Sequence, residues 1–83
     1  MIRNELWSVS ISRIRAFFDT QPNITATDTG YQYGNCLITL TEVPPKDSAR
    51  FPIPRTQVVF DGSDTDVSDI YHRFMIQFLT AGG

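Results

Sequence analysis

Apolar side chains recur at helical spacing through residues 63–80: Val67, Ile70, Tyr71, Phe74, Met75, Phe78 and Leu79. That spacing gathers them on one stripe of an α-helix, which is too apolar to face water and needs a surface to cover it. Ser63 or Asp64 is placed to cap this helix. Asp64, Asp66 and Asp69 then complement the positive end of its dipole.

Residues 4–19 predict a first helix. Leu6, Trp7, Ile11, Ile14, Phe17 and Phe18 share one sector at about 100° per residue. Asn4 serves as N-cap, and Pro22 stops the helix. Trp7, Val9 and Ile11 also alternate with Ser8 and Ser10, which leaves a rival reading. In it, residues 6–11 form a strand and a short helix starts at Ser10.

Residues 26–43 predict a β-hairpin turning at Gly34-Asn35. Tyr33 then opposes Cys36, Tyr31 opposes Ile38, and Thr29 opposes Leu40. Tyr31, Tyr33, Cys36, Ile38 and Leu40 share one face; a one-residue slip would mix them with polar neighbours. Leu37 falls on the outer face. Residues 44–54 hold Pro44, Pro45, Pro52 and Pro54, which excludes a helix or an inner strand. An extended connector pinned to the body by Phe51 or Ile53 is expected. Residues 55–60 predict a third strand, with Val58 and Phe60 on one face and Val59 on the other.

The resulting order is α-β-β-β-α. An α+β fold follows, with a three-stranded antiparallel sheet and two helices packed on one face. With 83 residues, the chain is expected to be one small domain over 1–83. The hydrophobic share of 41% and charged share of 19% are those of a folded globular chain rather than a disordered one.

Charge narrows the function classes. The net charge is −2, and no basic cluster of the kind that binds a phosphate backbone is present. No stretch approaches the length of a transmembrane span, and residues 1–7 do not read as a signal peptide. Cys36 is the single cysteine, which excludes an intrachain disulfide and a cysteine-rich metal site. Together these features predict a cytoplasmic protein. Asn23-Ile24-Thr25 is then an accidental glycosylation sequon.

Catalytic chemistry is not signalled. Asp61, Asp64, Asp66 and Asp69 offer oxygen ligands, but the spacing departs from an EF-hand loop, and helix capping explains them. His72 is the single histidine. Its conceivable nucleophilic partner, Cys36, points into the core in the predicted register. Paired carboxylates, a phosphate-binding glycine loop and hydrolase motifs are lacking. The expectation is no enzyme, no cofactor and no metal.

The helix-strand-strand-strand-helix order resembles the topology of double-stranded RNA-binding domains. In those domains a lysine-rich start of the last helix meets phosphates. Here that start is Ser63-Asp64-Thr65-Asp66, so the resemblance implies a shared fold without the usual RNA surface. Arg3, Arg13 and Arg15 are the candidate contacts if nucleic acid binds, although the sequence does not favour such a partner. The terminal Gly82-Gly83 resembles the tail of ubiquitin-like sulfur carriers, which implies a carboxylate activated by adenylation. The rival is a helix C-cap glycine.

Exposed apolar positions carry the leading expectation. Leu37 and Val59 lie on the outer sheet face, Ile76 lies opposite the apolar stripe of the last helix, and Phe51 and Ile53 lie in the proline-rich segment. These residues predict a small non-enzymatic interaction or accessory module, bound to a protein partner or to itself as a homodimer.

Overall fold

The computed structural model describes residues 1–46 and 52–80. It contains β1 (Ile2–Trp7), α1 (Ile11–Asp19), β2 (Ile24–Ala26), β3 (Gly30–Tyr33), β4 (Cys36–Lys46), β5 (Ile53–Gly62) and α2 (Asp64–Met75). A π-helical turn, Ile76–Thr80, continues α2. The strands form one five-stranded antiparallel sheet in the order β1-β5-β4-β3-β2. α1 therefore carries the chain from one edge of the sheet to the other. From β2 to β5 the chain meanders back to meet the strand it began with.

The α+β class holds, but the three-stranded sheet is overturned by two further strands, β1 and β2. β1 replaces the start of the predicted 4–19 helix. Its residues pair along β5 from Ile2↔Asp61 to Trp7↔Thr56, which satisfies backbone groups that β5 would otherwise leave bare. The helix begins only at Ile11, with the Ser10 hydroxyl accepting from Arg13 N at 3.4 Å. The rival reading had the helix start right, although its strand lies at 2–7 rather than 6–11. β2 arises because the predicted hairpin arm folds back on itself. Thr27 N donates to Gly30 O at 2.8 Å, and Ala26 comes to pair with Tyr31.

The β3–β4 hairpin follows the predicted register: Tyr33↔Cys36 and Tyr31↔Ile38, with Leu40 N donating to Thr29 O. Gly34 adopts φ 55°, the left-handed value the turn needs. The Asp66 carboxylate of α2 accepts from Asn35 N at 2.8 Å and so fastens the turn to the helix.

The proline-rich stretch departs from expectation. β4 runs through Pro44 and Pro45, with a register shift between Val43 and Lys46, and β5 starts at Ile53. β1 reaches β5 only as far as Thr56, and β3 reaches β4 only as far as Thr39. Beyond those points each arm strand has a single neighbour among the described residues, and proline is tolerated where one side of a strand lacks a partner. Ile53 is 48% exposed and does not pin the arm to the body.

The core lies between one sheet face and the two helices. Tyr31, Cys36, Ile38, Leu40, Val58 and Phe60 from the sheet meet Ile14, Phe17 and Phe18 of α1 and Val67, Ile70 and Phe74 of α2. Phe74 is the hub, with ring centroids 5.0 Å from Trp7, 5.6 Å from Phe60 and 4.9 Å from Phe78. The predicted stripe fails at Leu79, which is 57% exposed. Within the π turn Phe78 stays buried while Leu79 is exposed.

Candidate functional site

β1 is an edge strand of the sheet, and its outward-facing backbone groups can be assigned. Met1 N donates to Gly62 O at 2.8 Å, and Gly62 N donates to Met1 O at 3.0 Å, so these two residues exchange both bonds. Such pairs alternate along an antiparallel ladder. Arg3, Glu5 and Trp7 therefore direct their N–H and C=O groups toward β5. Ile2, Asn4 and Leu6 direct theirs away from the sheet, where the described residues place no strand.

Side chains divide by the same alternation. Ile2, Asn4 and Leu6 lie on the outer face, alongside Asp61, Val59 and Gln57 of β5. Ile2 is 66% and Leu6 53% exposed. Gln57 Nε2 donates to Asn4 Oδ1 at 2.9 Å between them. Leu37 continues the row from Ile2 and Asp61 and is 51% exposed. Among the described residues both helices pack on the other face, so this side stays open.

Arg3, Glu5 and Trp7 face α2. The Glu5 carboxylate accepts from Trp7 Nε1 at 3.1 Å, from Arg3 Nη2 at 3.1 Å, and from the Tyr71 hydroxyl, 2.8 Å from Oε2 and 3.0 Å from Oε1. Arg3 lies over the Tyr71 ring, its Cζ 3.9 Å from the centroid. Burial alone would raise the Glu5 pKa, but the three hydrogen-bond donors outweigh it and hold the carboxyl below its ordinary value. The same burial, with the bond to Glu5, pushes Tyr71 up. Arg3 Nε is shielded from solvent and has no acceptor among the described residues.

Other titratable groups serve the scaffold. The Tyr33 hydroxyl donates to Asp69, whose carboxylate also receives Arg73 one turn along α2. The Tyr31 hydroxyl donates to Asp19 at 2.8 Å, and burial with that carboxylate raises its pKa to about 12. Cys36 is buried, and desolvation pushes its thiol up, away from thiolate chemistry. His72 is exposed on α2 and does not meet Cys36. Among the described residues, no three His, Cys, Asp or Glu side chains are grouped to hold a metal ion.

A groove of about 410 Å³ runs beside the arm, lined by Ile11, Val43, Pro44, Pro52, Pro54 and Arg55. Arg55 Nη2 donates to Pro44 O at 2.8 Å and braces the two arm strands.

The predicted contact residues fall on separate surfaces. Leu37 and Val59 share the outer sheet face, Val59 half-buried behind β1. Ile53 lies on the arm, and Ile76, 51% exposed, lies in the π turn. Phe51 lies outside the described residues, as do Gly82 and Gly83. Arg3, Arg13 and Arg15 do not form one patch: Arg3 is bound to Glu5 and Tyr71 on β1, while Arg13 and Arg15 are exposed on α1. The topology that resembled RNA-binding domains is replaced by one that opens with a strand. Sequence reading missed Ile2 and Leu6 because it placed Leu6 on a helix; the alternation Ile2, Asn4, Leu6 against Arg3, Glu5, Trp7 was the available signal.

Comparison with family models, with curated proteins and with solved structures returns no match.

Proposed function

We propose that this protein is a non-enzymatic interaction module that self-associates through the β1 end of its sheet. One observation carries the reading: β1 offers a row of unpaired backbone groups at Ile2, Asn4 and Leu6, flanked on the outer face by exposed apolar side chains. An unprotected edge of this kind is a template for another strand. Leu37 and Val59 extend the apolar surface behind it. The half-buried charges at this end are committed to hydrogen bonds that hold β1 against α2, which suits a rigid contact surface better than a reacting centre.

The partner is a second copy of the chain, and the setting is the reducing cytoplasm, supported by the lone buried thiol of Cys36. No described helix is long and apolar enough to cross a membrane. Sedimentation equilibrium across micromolar to millimolar concentrations tests the reading. A species of twice the 9.4 kDa chain mass is expected; a chain that stays monomeric throughout overturns it.

A further inference from the structure

The six residues of β1 read Ile-Arg-Asn-Glu-Leu-Trp, and their order has a symmetry about Asn4. Consider a second β1 laid antiparallel along the free edge with a two-fold axis through Asn4. Ile2 then faces Leu6 of the second copy, Leu6 faces its Ile2, and Asn4 faces its Asn4. These are the residues whose N–H and C=O groups point outward, so each pair exchanges both backbone bonds. On the α2 side, Arg3 falls opposite Glu5 of the second copy, and Glu5 opposite its Arg3.

Resting on the self-association reading, we infer that two copies of this chain join β1 to β1 in this register, merging their sheets into one. Three independent features of the edge agree on it. The backbone groups left over are those an isologous antiparallel pair consumes. The outer face matches apolar to apolar, Ile2 to Leu6, beside Val59. The inner face matches opposite charges in non-hydrogen-bonded pairs, the closest pairs across a ladder.

Charge decides the register. A charged residue on an edge strand ordinarily repels a second strand. Here Arg3 and Glu5 sum to zero, and shifting the axis by one pair in either direction sets Arg3 against its own symmetry mate or Glu5 against its own. The Arg3 Nε, shielded and without an acceptor among the described residues, gains a carboxylate across the axis. β2, the opposite edge, offers only Ile24, Thr25 and Ala26, too short and too neutral to select a register.

Reciprocal charge reversal tests the pairing. Arg3→Glu sets glutamate against glutamate in its own dimer, and Glu5→Arg sets arginine against arginine. Each variant alone is expected to weaken self-association by about 100-fold or more. Mixed, the two restore opposite charges at both positions and form a heterodimer approaching wild-type strength. Because Glu5 also holds Trp7 and Tyr71, a second measurement avoids these residues. Asn4→Cys, whose thiol sits on the axis, is expected to be captured as a covalent dimer by a short ethylene-spaced bismaleimide, whereas Leu37→Cys is not. A wild-type dimer that shows neither the mixed rescue nor the Asn4→Cys capture overturns edge pairing and leaves self-association standing. A wild-type chain that never dimerises overturns both.

Discussion

The Tyr71 hydroxyl lies 2.8 Å from Glu5 Oε2, joining β1 to α2 across 66 residues of chain. A neutral tyrosine donating to a half-buried carboxylate is a charge-assisted bond, stronger than a neutral one. It ties β1 to α2, whereas the bonds from Arg3 and Trp7 to Glu5 lie within β1 itself.

Tyr71→Phe removes that bond and leaves the ring under Arg3. The loss is expected to cost about 1–2 kcal/mol, read as a lower urea midpoint with an unchanged slope. Glu5→Gln, which keeps the shape and removes the charge, is expected to cost a similar amount and to leave little further loss when combined with Tyr71→Phe. Additive losses would show that the two side chains act separately.

Glu5 also sets an acid limb. Its folded pKa is depressed below its unfolded value, so the unfolded state binds the proton more tightly. The stabilisation it supplies is complete above the ordinary glutamate range and is lost as pH falls through the lowered folded value. Urea midpoints measured from neutral pH downward are expected to decline over that window, and Glu5→Gln to flatten the decline.

Tyr31 sets the opposite limb. Burial first, and then the bond to Asp19, raises it from 10.0 to about 12. A raised value means the stabilisation is present below pH 10 and is lost as pH climbs toward 12. Denaturation midpoints are expected to fall across that interval, less steeply in Tyr31→Phe. Absorbance of tyrosinate should show the phenols titrating above their ordinary range in the native protein, with Tyr31→Phe removing one of them.

Phe74 anchors both helices and the sheet. Phe74→Ala removes a fully buried ring that touches Trp7, Phe60 and Phe78, and is expected to cost about 3–5 kcal/mol. For a domain this small that is most of its stability, so calorimetry is expected to show a transition that is barely cooperative or absent. Phe74→Leu retains much of the volume and should keep a measurable transition.

Gly62 tests backbone crowding at the junction of β5 and α2. A Cβ there would lie 1.9 Å from Asn35 O, and that carbonyl also accepts from Ser63 N. Gly62→Ala is expected to destabilise by about 1–3 kcal/mol through a backbone shift, detectable as exchange broadening of the Asn35 and Ser63 amides in NMR spectra.

Much of the interior was legible because each residue concerned obeys a local period. Tyr31, Ile38, Val58 and Phe60 alternate, Val67, Ile70 and Phe74 step by helical turns, and Gly34 marks the hairpin that sets their register. The candidate site was not legible by the same means. β1 mixes Asn4 and Glu5 with Leu6 and is made a strand by β5, more than fifty residues away. Its neighbours Trp7 and Ile11 also satisfy a helical spacing, so local pattern favoured the wrong element there. Leu79 misled for a different reason: at about 100° per residue it falls at the margin of the stripe that Val67, Ile70 and Phe74 centre, and it is left exposed. The prolines at 44 and 45 excluded an inner strand but did not disclose the arm, whose strands are bonded on one side among the described residues.

The pairing of Ile2 with Asp61 also has a temporal meaning. Ribosomes deliver β1 well before β5, so the earlier strand has no mate until residues 53–62 have emerged. The meander from β2 to β5 closes only short loops and can assemble first; β1 must then be recaptured across a long one, at a larger entropic cost. Until that happens β5 is itself a bare border, and a crowded nascent population could fill it with the β1 of a neighbour instead of its own.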